Sequence, residues 1–295
     1  MKRILWATTF RDFKNNKNDS IQYIFLNSLK SIENVEIDLC VTMFGEKNVK
    51  NNILNIFPNS FFFESSKYLP NGVRYSQSLV MNNALELMKT KDYDALAWST
   101  CDLYIPQGSF GFLSKFSEQE FIATSHPNAV IDENGKYKIY GFESGVDFFC
   151  FVNLSKVNID KFIQINKNYP NYDFGIYEHL IISLAEIFKC NLINFQSFFQ
   201  LLKFENDRKL TDESKIWLNS SWKNNQKALL SMLSDFNISK YYAYNMFYCS
   251  FKMFRYSSAY YRYYIKLINE FIYLFFKNLY QKIFKNSKKK FWELY

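Results

Sequence analysis

A chain of 295 residues that is 48% hydrophobic and 22% charged has globular composition, with room for one large domain and an appendage. Five cysteines, odd in number and without a C-x-x-C pair, argue against a disulfide framework or a cysteine zinc site and fit a reducing cytoplasm. The net charge of +8 is uneven: from Lys240 onward eleven basic residues meet only Glu270 and Glu293, so the excess belongs to the tail and the body is neutral.

The N-terminal run Met1-Lys2-Arg3-Ile4-Leu5-Trp6 is too short in apolar residues for a signal peptide. No stretch reaches the roughly 18 apolar residues of a membrane-spanning helix. Low glycine and proline (8 and 5) beside abundant Lys, Asn, Ile, Phe and Tyr match an AT-rich bacterial genome, which lowers the weight of any single Lys or Asn.

In chain order, residues 3–9 (RILWATT) predict a first strand with a polar end at Thr8, Thr9 and Arg11. Asp19 or Ser20 can cap a helix whose residues Ile21, Ile24, Phe25, Leu29 and Ile32 keep helical spacing. A second strand, Val35 to Thr42, ends near Gly45-Glu46. A helical piece around Ile53 then leads to a short strand at Phe61-Phe62-Phe63. Alternation of strands and helices implies a largely parallel sheet covered by helices.

Asn71-Gly72-Val73-Arg74 opens a predicted helix through Met88, with Leu79, Val80, Ala84, Leu87 and Met88 as its buried stripe. Tyr93 to Pro106 follows, an apolar strand, Ala95-Leu96-Ala97-Trp98, that ends abruptly in Ser99-Thr100-Cys101-Asp102. A carboxylate beyond the C-terminal end of a buried strand occupies the crevice where open α/β sheets bind ligands. Asp is equally a common turn residue, so this segment alone leaves both readings open.

A short helix is expected over Phe110–Phe116, and strands over Phe121–Ser125 and Gly145–Val152, joined by a hairpin-like turn at Asp132-Glu133-Asn134-Gly135. Tyr169–Asp173 leads into a helix with Ile176, Leu180, Ile181, Leu184, Ile187 and Phe188 on its core face, and Asn191–Phe195 reads as a closing strand. From about Leu210 the pattern is helical, so the organisation expected is a body over 1–208 and a basic, aromatic-rich helical region over 209–295.

The order of these parts resembles a GT-A-type nucleotide-sugar glycosyltransferase. The matching residues are Ala7-Thr8-Thr9 at the first strand end, Arg74 with Asn82-Asn83-Ala84, Thr100-Cys101-Asp102 at the D-x-D position, and Tyr177-Glu178-His179 at a helix start. The resemblance covers roughly residues 3–200 and implies an α/β fold with a mostly parallel, mixed sheet flanked by helices, here with a C-terminal helical basic extension. It implies a nucleoside-diphosphate sugar as donor, held by Thr8, Thr9, Arg11, Arg74, Thr100 and Asp102. It also implies a divalent cation, Mn²⁺ or Mg²⁺, on Asp102. One of the two expected carboxylates is replaced by Thr100; since Mg²⁺ manages with one or two carboxylates plus water and phosphate, one Asp suffices, and a metal-independent site built on Arg or Lys stays open. Glu178, with Asp173 second, is the candidate base, because an inverting transfer needs a carboxylate to deprotonate the acceptor hydroxyl.

The same residue types have plainer uses. A carboxylate in a helix's first turn is favoured by the dipole, whereas Arg74 at a helix start is disfavoured by it and suits an anion or an acidic neighbour. Thr8 and Thr9 are ordinary β-branched strand residues. His179 and His126 read best as surface histidines. Asp147, set in the apolar run Val146–Val152, points either to solvent or to a partner, since a lone buried carboxylate is costly.

In the tail, Leu267, Ile268, Phe271, Ile272, Phe275, Leu279 and Ile283 form one broad apolar face, with Lys266, Glu270, Lys277, Lys285 and Lys288 largely opposite. Such a helix suits an anionic membrane surface, where each nearby Lys or Arg contributes about 1 kcal/mol; the alternative, a helical subdomain packed on the catalytic body, is the better reading of Tyr241–Tyr264. The expected location is therefore the inner face of the cytoplasmic membrane, and the expected acceptor a bacterial surface glycan such as lipooligosaccharide, capsule or a lipid-linked chain. Nucleic acid is not an expected partner, because the aromatic residues gather on an apolar face instead of lining a basic groove. No P-loop, G-x-G-x-x-G, H-E-x-x-H or G-x-S-x-G motif is present. Two rival readings are a sugar-phosphate nucleotidylyltransferase, whose early glycine-rich loop is missing at Ala7–Arg11, and a non-catalytic membrane-associated assembly protein.

Overall fold

Strand β1 (Lys2–Thr8) is the keel of the molecule: Ile4, Leu5, Trp6 and Ala7 are all fully buried, as expected of a strand covered on both faces. β2 (Val35–Met43) and β4 (Ala95–Ser99) pair with it in parallel, and β3 (Phe61–Glu64) adds in parallel outside β2. Helices α1 (Lys17–Lys30), α2 (Val49–Leu54) and α3 (Gln77–Thr90) make the crossovers. The computed structural model describes residues 1–13, 17–66, 75–110, 113, 118–131, 137–172, 177–194, 202–204, 224–225 and 227–238. All of them belong to one compact unit, Met1–Met253.

Beyond β4 the sheet changes direction. β7 (Tyr137–Val152) runs antiparallel to β4, and β6 (Glu120–Ile131) antiparallel to β7. β8 (Asn191–Asn194) and β9 (Leu202–Phe204) lie parallel to β6, while β5 (Leu103–Tyr104) is antiparallel to β9. The order is β3-β2-β1-β4-β7-β6-β9-β5, with β8 also on β6. The mostly parallel, mixed sheet flanked by helices that the sequence implies is thus the observed fold. Ser99 ends β4 and Leu103 begins β5, a gap the chain spans in at most about 14 Å. Yet three strands separate the two in the sheet order, so the sheet curls until β5 returns beside the end of β4.

The two faces are filled differently. On one, Trp6 meets Phe25 of α1, Phe110 and Phe148 at ring-centroid distances of 6.2, 5.7 and 5.6 Å, within a cluster that includes Ile4, Leu26 and Leu29. On the other, α3 buries Val80, Met81, Ala84, Leu85 and Met88, and α4 (Lys156–Asn168) packs beside it. At the edge where β1 begins, charge is paired. Lys2 meets Asp94 at 2.7 Å, and buried Asp38 accepts from Arg3 at 3.1 Å and from the Tyr93 hydroxyl at 2.7 Å. Burial opposes ionisation of Asp94, but Lys2 and the Arg3 N–H outweigh it and hold that carboxyl below its usual range.

Several elements differ from the sequence reading. α3 starts at Gln77, because Ser76 is its N-cap and accepts the Leu79 N–H at 3.2 Å. Arg74 therefore precedes the helix instead of sitting in its first turn, which removes the dipole argument made for it. The buried stripe of α3 includes Met81 and Leu85 in place of Leu79 and Leu87. α4 was not expected; Ser155 caps it through the Asn158 N–H, and Ile159, Phe162, Ile163 and Ile165 are buried. α5 (Tyr177–Ile187) is the helix expected after Tyr169–Asp173. β9 was also unexpected, and β6 and β7 run longer than the two strands foreseen. Of the Phe110–Phe116 helix, the described residues include Phe110, in a turn, and Leu113.

Residues 224–225 and 227–238, beyond the expected boundary at 208, pack on the turn after α4. Met232 and Leu233 are buried, and Asn225 exchanges hydrogen bonds with the backbone of Tyr172. The amphipathic tail lies outside the described residues. No helix among the described residues is long and apolar enough to cross a membrane.

Candidate functional site

The parallel strands β1, β2, β3 and β4 all end at one edge of the sheet, and the segments that follow them build a lip there. Ser99 and Thr100 are gripped from both flanks. Thr8 donates its hydroxyl to the Ser99 carbonyl oxygen at 2.9 Å, the Trp6 indole N–H donates to Ser99 Oγ at 3.0 Å, and the Thr100 N–H donates to the Asp147 carbonyl oxygen at 3.2 Å. The turn Cys101–Asp102 follows. On its far side the Ile105 N–H donates to Ser28 Oγ of α1 at 3.2 Å. Asp102 is thus delivered by a frame pinned before and behind it, and it is 7% exposed.

The oxygen set around this turn is hard. Thr100 Oγ1 is buried and has no hydrogen-bond partner among the described residues, while Asp147, at half-burial, lies across the strand pair from Thr100. These oxygens fit Mg²⁺ or Mn²⁺ far better than a soft metal. Among the described residues no three His, Cys, Asp or Glu side chains gather as a ready-made metal cage. Any cation here would therefore complete its shell with water and phosphate.

Thr8 is completely buried, and its hydroxyl also approaches the Thr9 carbonyl oxygen at 3.4 Å, so its work in the site is to lock β1 to β4. Thr9 and Arg11 are half-buried on the loop after β1. That loop is held by Gln22, a buried residue of α1. Its Oε1 accepts the Arg11 N–H at 2.7 Å and the Cys101 thiol at 3.5 Å, and its Nε2 donates to the Arg11 carbonyl oxygen at 3.3 Å. One amide thereby ties the loop after β1 to the turn that carries Asp102. Sequence reasoning missed Gln22; the available signal was a polar residue between Ile21 and Phe25 on the buried face of α1.

Two further groups stand at the lip: Asn83, one of the residues that carried the resemblance, and Glu46, which sequence reasoning missed. Asn83 of α3 donates to Thr42 Oγ1 at 2.9 Å and to Ser65 Oγ at 3.4 Å, joining the ends of β2 and β3. Beyond β2, Glu46 accepts the Phe44 N–H at 2.5 Å, and the Phe44 ring meets Tyr75 at 5.1 Å. Burial pushes the Glu46 carboxyl up; the Phe44 N–H opposes this, and the nearby charges of Asp12 and Glu64 add to it.

The segment after α4 reaches the same edge. The Asn171 carbonyl oxygen accepts from Ser76 Oγ at 3.2 Å and from the Ser78 N–H at 3.4 Å, at the start of α3. α5 begins six residues later and ends near Asn191, which pairs with Glu120 at the opposite edge. The first turn of α5, where Glu178 and His179 lie, is therefore on the Asp102 side. Arg74 and Asp173 lie outside the described residues, and so do the side chains of Glu178, His179 and His126.

The sheet is parallel up to β4 and turns antiparallel beyond it, with a carboxylate just past that strand. The fold is GT-A-like, as the resemblance implied. No protein-family model matches the chain, and no curated protein matches it by sequence. Among solved structures it is similar to Staphylococcus aureus TarS 1-349 in complex with UDP-GlcNAc, with a TM-score of 0.47 and 11% identity over 71% of this chain and 60% of that one. It is similar to glucosyl-3-phosphoglycerate synthase from Mycobacterium tuberculosis, solved with Mn²⁺, UDP and phosphoglyceric acid, with a TM-score of 0.42 and 10% identity over 78% of each chain. A nucleotide-diphospho-sugar transferase from Desulfovibrio desulfuricans G20 gives 0.39 and 11% over 80% of this chain and 96% of that one. At such identities the likeness is one of chain trace and transfers no residue roles.

Proposed function

We propose that the protein is a glycosyltransferase that moves a sugar from a nucleoside-diphosphate donor to a bacterial surface-glycan acceptor, such as lipooligosaccharide, capsule or a lipid-linked chain. The observation that carries this reading is the buried Asp102, framed by Thr8, Ser99 and Asp147 at the edge where the sheet changes direction. That edge is where open α/β sheets bind their ligands.

In this reading Asp102 and Thr100 face the donor's diphosphate and hold Mn²⁺ or Mg²⁺, which would offset the charge that develops on the leaving group. Thr9 and Arg11 border the nucleotide, Thr8 holds their loop in place, and Arg74 adds a positive charge. Glu46 accepts hydrogen bonds from ribose hydroxyls. Glu178, with Asp173 second, removes the acceptor hydroxyl proton from the opposite side of the sugar. The tail, with its aromatic face and lysine cluster, keeps the enzyme peripheral on the inner face of the cytoplasmic membrane.

A panel of nucleotide sugars, scored by thermal shift with Mn²⁺ and by release of nucleoside diphosphate, tests the reading. At least one donor should bind and turn over. If no nucleotide sugar binds, a non-catalytic assembly protein is the better description. Flotation with anionic liposomes, with and without residues 265–295, tests the tail separately; equal flotation would remove the membrane role.

A further inference from the structure

At the edge of the sheet away from Asp102, two carboxylates share a single neutral donor. Glu120 opens β6, paired with Val152 on one side and Asn191 on the other, and is 7% exposed. Its Oε1 accepts from Asn191 Nδ2 at 3.2 Å, and Glu118 Oε2 accepts from the same nitrogen at 3.1 Å. Glu120 Oε2 is buried and has no hydrogen-bond partner among the described residues. No Lys, Arg or His among the described residues pairs with either carboxylate, the ion pairs there being Lys2–Asp94, Arg3 with Glu36 and Asp38, and Lys89 with Glu86 and Asp160.

A buried carboxylate oxygen left in this state is costly, and two like charges around one amide repel each other. The natural remedy is a positive charge. We propose that Glu118, Glu120 and Asn191 form a binding site for a hard divalent cation, with calcium as the best fit. The donors are carboxylate oxygens, and a flip of the Asn191 amide presents its Oδ1 to the same point that Nδ2 now occupies. Calcium accepts this mixture of carboxylate, amide carbonyl and water in flexible geometry, whereas magnesium demands a stricter octahedron. Glu118 and Asn191 are exposed, which leaves a route for the ion. The backbone is already set: the Asn191 N–H donates to the Gln119 carbonyl oxygen at 3.0 Å. The ion would fasten the start of β8, and with it the end of α5, to the start of β6. The inference does not rest on the transferase reading.

The test uses the full chain without nucleotide, with calcium chloride as the probe, in thermal-shift and calorimetric titrations. The melting temperature should rise by roughly 5–10 °C at calcium about 100 times Kd. Glu118→Gln, at an exposed position, should weaken binding by about 10-fold or more. Asp102→Asn should keep the shift, which separates this site from the lip. The proposal is overturned if wild type shows no shift, or if the shift survives Glu118→Gln and disappears in Asp102→Asn. It is equally overturned if Glu120→Gln stabilises the protein while wild type ignores calcium, because a proton then fills the role assigned to the ion.

Discussion

The two ends of β1 use polar side chains in opposite ways. Where β1 begins, Lys2–Asp94 and the Arg3–Asp38–Tyr93 group are paired within the fold, and their arrangement serves stability. Where β1 and β4 end, the strands are just as firmly held, by Thr8, Trp6 and Gln22, but what they hold is a turn with Asp102 and a buried Thr100 hydroxyl without a hydrogen-bond partner among the described residues. In the proposed reading, the frame behind the second end keeps its front set for a donor. Preorganised charge of that kind stabilises a transition state without rearrangement at the moment of reaction.

That contrast can be broken most sharply at Asp102. Asp102→Asn should lower the rate of nucleoside-diphosphate release about 100- to 1000-fold, with the circular dichroism spectrum unchanged. A variant that retains full turnover would put the diphosphate elsewhere. Asp38→Ala attacks the other end. It should destabilise the protein by about 1–3 kcal/mol in urea titration, because Tyr93 and Arg3 lose a buried acceptor, while activity at low temperature persists. Gln22→Leu falls between the two, with a loss of roughly 1 kcal/mol in the same titration. Its loosened loops should raise the donor KM more than they lower kcat.

The smallest effect is a pH slope at Glu46. Its carboxyl is raised by burial first and by Asp12 and Glu64 after that, so the folded state binds its proton more tightly than the unfolded chain does. Stability from this group is complete below the ordinary carboxylate value and is lost as pH rises through the raised one. Glu46→Gln should flatten that part of the pH–stability curve; an unchanged slope assigns it to another group.

The parallel half of the sheet was legible in the sequence because its strands are short apolar runs with polar ends, and each crossover helix keeps a simple stripe. Asp102 stood out for the same reason, as the polar stop after Ala95–Trp98. α4 was overlooked because Val152-Asn153-Leu154-Ser155 reads as the fading of a strand, and only the Ser155 cap with Ile159, Phe162 and Ile163 marks a new helix. β9, at three residues, carries too little pattern to stand out. Gln22 was invisible for a different reason: it is an ordinary polar residue on a helix until the loop and the turn it joins are known.

The curled sheet has a consequence for the order of assembly. β1 and β2 pair across one crossover, Lys2 with Val35, whereas Ile4 must find Ala95 before β4 can seat on β1, and Leu103 must find Lys203, one hundred positions along the chain, before β5 can close against β9. Contacts of such long range form late, since the chain entropy of the intervening loop is surrendered before they bring any gain. The pairing of β1 with β2 would therefore precede both the seating of β4 and the closure of β5, and the acidic turn between those two strands would be fixed only when both late contacts are made.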